Sequence, residues 1–252
     1  MNDLLESLIA TALEAGRAAM AVYQSDFAVS HKDDRSPVTA ADVAAERIIL
    51  AALARLTPDL PVIAEEATAG GQKPDFGRGR FWLVDPLDGT KEFVARSGQF
   101  TVNIGLVEQG RPVLGVVHAP AVAETFAGGP QGAFRVGTDG QRQPIACRLP
   151  PPEGLTVLSS RSHGDPLRLD KYLAGRKVAA LSRSGSSLKF CRVAEGAADL
   201  YPRFGPTSEW DTAAGHAILV AAGGSVETLD GQPLGYGKPS LVNPDFVAWG
   251  KR

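Results

Sequence analysis

Cysteine is almost missing from this chain: Cys147 and Cys191 are the only two among 252 residues. That is too few for a disulfide framework or a thiolate metal centre, and both read as reduced thiols in a cytosol. Long hydrophobic runs are missing too. None approaches the roughly 18 residues that span a bilayer, so no integral membrane segment is expected. Neither sign of charge is in excess, with 26 Lys and Arg against 28 Asp and Glu. A formal net charge of −2 offers no general positive field to a nucleic acid polymer and no basic block to a membrane surface. The four histidines, His31, His118, His163 and His216, show no zinc spacing. The opening residues Met1-Asn2-Asp3-Leu4-Leu5-Glu6 carry acids where a signal peptide carries bases, which points to the cytoplasm. What is left is an ordinary soluble composition, 44% hydrophobic and long enough for a large core.

Periodicity divides that core into alternating elements. Residues 3–24 place Leu4, Leu5, Leu8, Ile9, Ala12, Leu13, Ala19, Met20 and Tyr23 on one helical face. A short strand is expected near 27–31, a polar loop at 32–37, and a second helix from Thr39 to Leu56. Residues 61–64 read as a strand ending at Glu65-Glu66, and 70–80 as a glycine-rich loop. The apolar run Phe81-Trp82-Leu83-Val84 reads as a buried strand that delivers Asp85 at its tip and stops at Pro86. Two further strands, 101–107 and 113–118, form a hairpin. The stretch 128–152, with its Gly-Gly-Pro and Pro-Pro-Pro segments, is the expected boundary between an N-terminal half, 1–150, and a C-terminal half, 151–252. Beyond it come strands at 155–160, 178–181 and 198–204 and helices at 165–174, 186–196 and 211–222. The class is α/β, or α+β with layered sheets and helices.

Chemistry concentrates at element ends. Asp42, Glu65, Asp85 with Asp88, and Asp211 each close or open an element, where the backbone is rigid enough to hold a ligand. Taken singly, each has a plainer reading. Glu65-Glu66 suits a solvated strand end, Asp211 a helix dipole, and Asp42 a capping box with Thr39. Together they suit two magnesium ions about 3.5–4 Å apart that clamp both oxygens of a phosphoryl transfer. Asp85 would bridge the ions, with Glu65 and the Leu87 carbonyl on one and Asp88 and Asp211 on the other. Lys189, on the Gly185-Ser186-Ser187 loop, adds a cation and amide donors. Its plain alternative is a helix-surface lysine.

These motifs carry a resemblance. Glu65-Glu66, Asp85-Pro86-Leu87-Asp88-Gly89-Thr90 and Trp210-Asp211-Thr212-Ala213-Ala214-Gly215, in that order, resemble the lithium-sensitive, magnesium-dependent phosphatases. That superfamily includes inositol monophosphatase, fructose-1,6-bisphosphatase and the 3′(2′),5′-bisphosphate nucleotidases. Lys91-Glu92-Phe93-Val94, Gly98-Gln99-Phe100-Thr101-Val102-Asn103-Ile104, Gly185-Ser186-Ser187-Leu188-Lys189-Phe190 and Ser160-Arg161-Ser162-His163 look like its bacterial nucleotidases. The resemblance implies a layered α-β-α-β-α sandwich with the metals between its halves. It implies two or three Mg²⁺ ions and hydrolysis of the 3′-phosphate of adenosine 3′,5′-bisphosphate to AMP and phosphate. The metal ligands would be Glu65, Asp85, Leu87, Asp88 and Asp211, and the substrate contacts Leu87, Asp88, Gly89, Thr90, Gly185, Ser186, Lys189 and Asp211. Arg161 and His163 would meet the nucleoside or its second phosphate. Thr90 would orient or deprotonate the attacking water, and Asp42 or Glu65 would receive its proton. Ala67 departs from relatives that often carry a polar or acidic residue there. Peripheral association with the cytoplasmic face of the inner membrane through a partner is left open, as is the oligomeric state.

The nearest rival is a phosphatase of the same superfamily acting on inositol phosphates or another small phosphomonoester. A non-catalytic nucleotide binder is a poorer fit. Gly231-Gln232-Pro233-Leu234-Gly235-Tyr236-Gly237-Lys238-Pro239 only loosely resembles a phosphate loop, because Pro239 replaces the required Ser or Thr.

Overall fold

The computed structural model describes residues 2–31, 37–161 and 164–252. The expected polar loop therefore falls largely outside the described residues. Helix α1 (Asn2–Tyr23) is followed by strands β1 (Val29–His31) and β2 (Pro37–Thr39), then by helix α2 (Ala40–Leu56). A seven-stranded sheet comes next, built from β3 (Val62–Ala64), β4 (Arg80–Asp88), β5 (Thr101–Glu108), β6 (Arg111–Ala119), β7 (Glu124–Gly129), β8 (Gly132–Val136) and β9 (Arg142–Ile145) in sequence order. Short helices α3 (Glu65–Ala69) and α4 (Thr90–Val94) interrupt its connections. The rest of the chain supplies β10 (Leu155–Ser160), α5 (Pro166–Leu173), β11 (Val178–Ser184), α6 (Leu188–Ala194), β12 (Leu200–Arg203), α7 (Glu209–Ala221), β13 (Ser225–Thr228) and β14 (Phe246–Trp249). Its strands make a second sheet in the order β11-β10-β12-β14-β13.

Both faces of the large sheet are covered, which is why β5 is buried along nearly its whole length and reads as a continuous apolar run. Trp82, Val84, Val102, Ile104 and Leu106 point to α1 and α2, packing with Leu8, Ala45, Ile49 and Leu53. The alternate residues Phe81, Leu83 and Val107 point the other way, to Phe190 of α6 and Ala213, Ala214 and Ile218 of α7. The second sheet closes over α6 and α7 through Tyr201 and Phe246. On its outer face Val157, Leu200 and Val247 meet Tyr172 and Leu173 of α5. The layers are α-β-α-β-α.

One strip of small residues decides how closely α7 can lie on the large sheet. Gly105, Gly115 and Gly128 are cross-strand neighbours on β5, β6 and β7. A Cβ on Gly105 would lie 2.8 Å from Ala214 N, one on Gly115 2.2 Å from Ala214 O, and one on Gly128 2.7 Å from Ile218 Cα. The helix backbone rests directly on the sheet.

Three expectations need correction. Pro86 does not end β4. The ladder pairs Asp85 with Asn103, skips Pro86 and Leu87, and resumes at Asp88 opposite Thr101. A bulge absorbs the proline, whose missing N–H falls where no ladder bond is made. Part of residues 128–152, expected to be soft throughout, is sheet: β7 ends at Gly129, and Gly129-Pro130-Gln131-Gly132 is a hairpin turn into β8, with β9 beyond, before the chain crosses to the second sheet at β10. Helix α7 begins at Glu209, two residues before the expected start, whereas the strand before Glu65-Glu66 ends at Ala64 as expected, with the pair opening α3.

Candidate active site

Strand parity explains where Asp85 goes. With Phe81 and Leu83 facing the middle helical layer, Asp85 faces it too, and the N-terminus of α7 brings Asp211 to the same place. The bulge then turns the chain so that Leu87 packs with Ala41, Phe93 and Phe100 while Asp88 stays beside the cavity. Gly89 follows at φ 93°, a conformation glycine adopts without strain, and caps α4. The result is a cavity of about 480 Å³ whose walls include Glu65, Asp85, Leu87, Asp88, Gly89, Thr90, Gly185, Ser186, Lys189 and Asp211.

Each aspartate has one oxygen fixed by a backbone amide. Thr39 N donates to Asp42 Oδ2 at 2.8 Å, Leu87 N to Asp85 Oδ1 at 2.9 Å, and Ser208 N to Asp211 Oδ2 at 2.9 Å. Ser187 N donates to Asp88 Oδ2 from across the cavity. Asp42 and Asp211 are thus the third residues of two capping boxes, at the starts of α2 and α7. The other oxygen of Asp42 accepts from Thr90 Oγ1 at 3.4 Å, and the same hydroxyl lies 3.2 Å from the Leu87 carbonyl.

Burial penalises these charges, and so do the charges themselves. Asp85 is held well above the ordinary carboxylate range by burial first, then by Glu65, Asp88 and Asp211. Asp211 is raised the same way, by burial and then by Asp88 and Glu65. Burial pushes Asp88 up to about 6, with the Lys189 ammonium pulling in the opposite direction. Asp42 is raised by burial against two hydrogen bonds from Thr39.

Such a set of acids fits a hard divalent cation. The donors are all oxygen, their mutual repulsion is what bound positive charge relieves, and backbone amides already orient them. Among the described residues no three His, Cys, Asp or Glu side chains close on one point.

The same cavity also carries cations. Lys189 is buried rather than on a helix surface, its Nζ donating to Ser184 O at 3.3 Å and to Ser186 O. It sits 5.1 Å from the Tyr201 ring centroid, and burial lowers it to about 8 against the pull of Asp88. An ammonium has three donors, so one remains for a ligand. Arg203, at the end of β12, lines the same cavity, as do Thr207 and Ser208. Sequence reading missed these three; the only signal was a strand ending in a buried arginine. It placed Gln99 within a motif but gave that residue no role; the Gln99 Oε1 accepts from Gly185 N at 2.8 Å and ties the two halves of the site together. Arg161 does not line this cavity. It borders a neighbouring cleft of about 330 Å³ that shares Ser160 and Arg203 with it. His163 lies outside the described residues.

A sequence model of the inositol monophosphatase family matches residues 1–250. The 3′(2′),5′-bisphosphate nucleotidase CysQ of Salmonella typhimurium is 49% identical over 246 residues, 96% of this chain and 98% of that protein. The protein of the same name from Escherichia coli O157:H7 is 47% identical with the same coverage. Among solved structures, CysQ from Bacteroides thetaiotaomicron, described as a bacterial member of the inositol monophosphatase family, is 38% identical. It superposes with a TM-score of 0.82 over 99% of this chain and 98% of that one. An inositol monophosphatase from Anabaena is 28% identical at a TM-score of 0.79, covering 99% and 91%.

Proposed function

The chain belongs to the inositol monophosphatase family, and on that premise we propose that it hydrolyses the 3′-phosphate of adenosine 3′,5′-bisphosphate with magnesium, giving AMP and phosphate. Membership makes it a metal-dependent phosphatase; the nucleotide, the metal and the residue roles belong to the proposal. One observation favours the nucleotide: two cations, Lys189 and Arg203, line the same cavity as the acids. A bisphosphate brings a second anionic group that these cations can bind, which a substrate with a single phosphate lacks.

Glu65, Asp85, the Leu87 carbonyl, Asp88 and Asp211 would hold the ions. Divalent cations bound there supply positive charge to the phosphate oxygens and make water more acidic. The chain does the rest. Thr90 Oγ1, between Asp42 Oδ1 and the Leu87 carbonyl, is placed to take the attacking water's proton in a relay to Asp42. Asp42 suits that task because burial has raised its affinity for a proton. The water oxygen bonds to phosphorus, the bond from phosphorus to the 3′ oxygen breaks, and the leaving oxygen takes up a proton. The start of α4, from Gly89 and Thr90, offers backbone amides to the phosphate. Lys189, Ser186, Gly185 and Arg203 receive the second phosphate, and the neighbouring cleft with Arg161 receives the nucleoside. The halves 1–150 and 151–252 then supply the hydrolytic and the recognition walls, Asp211 excepted. Both cysteines are buried free thiols, which suits a reducing cytoplasm, and no described helix is long and apolar enough to cross a membrane.

Phosphate release with magnesium is measured for adenosine 3′,5′-bisphosphate, its 5′-phosphosulfate analogue, 3′-AMP and inositol 1-phosphate, then repeated with lithium. Preference for the bisphosphate and loss of rate with lithium are expected. Equal or faster turnover of inositol 1-phosphate overturns the nucleotide reading.

A further inference from the structure

Helix α2 carries two acids in its buried stripe, one turn apart. Asp42 and Glu46 share a face with Ala41, Ala45, Ile49, Ala52 and Leu53. Asp42 reaches Thr90. Glu46, only 6% exposed, reaches the start of α3: its Oε2 accepts from Glu66 N at 2.8 Å and its Oε1 from Ala67 N at 2.9 Å. The N-cap of α3 is Ala64, which has no side chain able to satisfy those amides. Glu46 therefore caps α3 from twenty residues away, using both oxygens and its negative charge at the positive end of the helix. The first residue of the turn it fixes is Glu65.

We propose that Glu46 is a positioning residue for the metal site: through α3 it fixes the backbone that aims Glu65 into the cavity. Because Asp42 sits one turn earlier, α2 acts as a rigid spacer. One end registers Thr90 and the other registers Glu65, so the proton relay and the cation-binding edge keep a constant separation. A five-residue helix cannot hold its own geometry by cooperativity, and α3 has no buried residues to pin it to the core. The two bonds to Glu46 are a directional tertiary anchor for it, beside the packing of half-buried Ala67 on the core. The proposal rests on the reading of Glu65 as a metal ligand.

The test is Mn²⁺ binding to the substrate-free protein by isothermal titration, beside steady-state kinetics as a function of Mg²⁺. Variants are Glu46→Ala, Glu46→Gln and Glu65→Gln. Glu46→Gln keeps one acceptor and the packing, so it stays informative if Glu46→Ala folds poorly. Glu46→Ala is expected to weaken Mn²⁺ binding by ~10–100-fold, the usual effect of losing an outer partner of a ligand. Glu46→Gln should weaken it less. Both should raise the Mg²⁺ concentration for half-maximal rate while kcat at saturating Mg²⁺ stays within a few-fold of the parent. Wild-type Mn²⁺ affinity in both Glu46 variants, with affinity lost in Glu65→Gln, overturns the positioning role alone. Unchanged affinity in Glu65→Gln overturns the ligand reading of Glu65, and the positioning role with it.

Discussion

Thr90 and Asp42, 48 residues apart, meet at 3.4 Å between the hydroxyl and Oδ1, while Asp42's other oxygen stays occupied by the amide and hydroxyl of Thr39. The carboxylate therefore has one oxygen for architecture and one for chemistry. Thr90→Val keeps the volume and removes the relay, so kcat should fall by ~10²–10⁴-fold, the usual span for losing a general base. Thr90→Ser should retain most of the rate. Mn²⁺ affinity should be unchanged in both, because Thr90 is not among the proposed ligands. Near-parental kcat in Thr90→Val would remove Thr90 from the mechanism.

The raised acids make a prediction about pH. Asp88 stands at about 6 in the metal-free protein against an ordinary value of 3.8. Between those values the folded chain holds a proton that the unfolded chain has released. Its contribution to stability is full below the lower value and is lost as pH rises through about 6. Asp85 and Asp211 act in the same direction. Two buried histidines oppose them: His118, lowered to about 4, and His216, lowered to about 3, gain stability as pH rises. The raw melting curve mixes both effects, but the difference between Mg²⁺ and EDTA isolates the acids. That difference in Tm should grow from pH 5 to pH 7.5, measured by scanning calorimetry. A constant or shrinking difference would mean that the ions do not displace protons from these carboxylates.

Lys189 bears on specificity. Its ammonium already spends two donors on the Ser184 and Ser186 carbonyls, which fix its direction. Lys189→Met preserves length and burial while deleting the charge. A charged hydrogen bond is worth about 1.5–3 kcal/mol, so kcat/KM for adenosine 3′,5′-bisphosphate should fall by ~10–100-fold. The fall for 3′-AMP should be several-fold smaller, because that substrate lacks the second phosphate. Equal losses on the two substrates would place Lys189 at the scissile phosphate instead.

Residues whose chemistry is local were legible in the sequence. Asp85, Asp88 and Thr90 lie within six positions, and the Thr39–Asp42 capping box is written in four. Contacts between distant segments were not. Glu46 reads as one more polar residue in a helix until α3 is seen docked on it. Arg203 is a strand residue until the second sheet brings it to the cavity. Pro86 misled for a physical reason, since a proline does end a regular ladder, and only pairing on both sides of a bulge shows that the strand continues. Gly128 misled similarly. Glycine marks soft loops in sequence, but Gly128 serves close helix packing within a strand.

That packing gives the last prediction. Gly115 lies where β6 meets the backbone of α7, and an added Cβ would stand 2.2 Å from the Ala214 carbonyl oxygen. No rotamer relieves a clash between two backbones, so the helix must lift from the sheet. Gly115→Ala should cost about 1–3 kcal/mol or somewhat more, typical of overpacking, and be seen as a lower urea midpoint at unchanged m-value. Lifting α7 also moves Asp211, three residues before Ala214, away from Asp85. Mg²⁺ should therefore stabilise the variant less than it stabilises the parent, although Gly115 is far from the proposed ligands in sequence. A variant that loses stability but responds to Mg²⁺ like the parent would show that α7 can shift without carrying Asp211 out of the site.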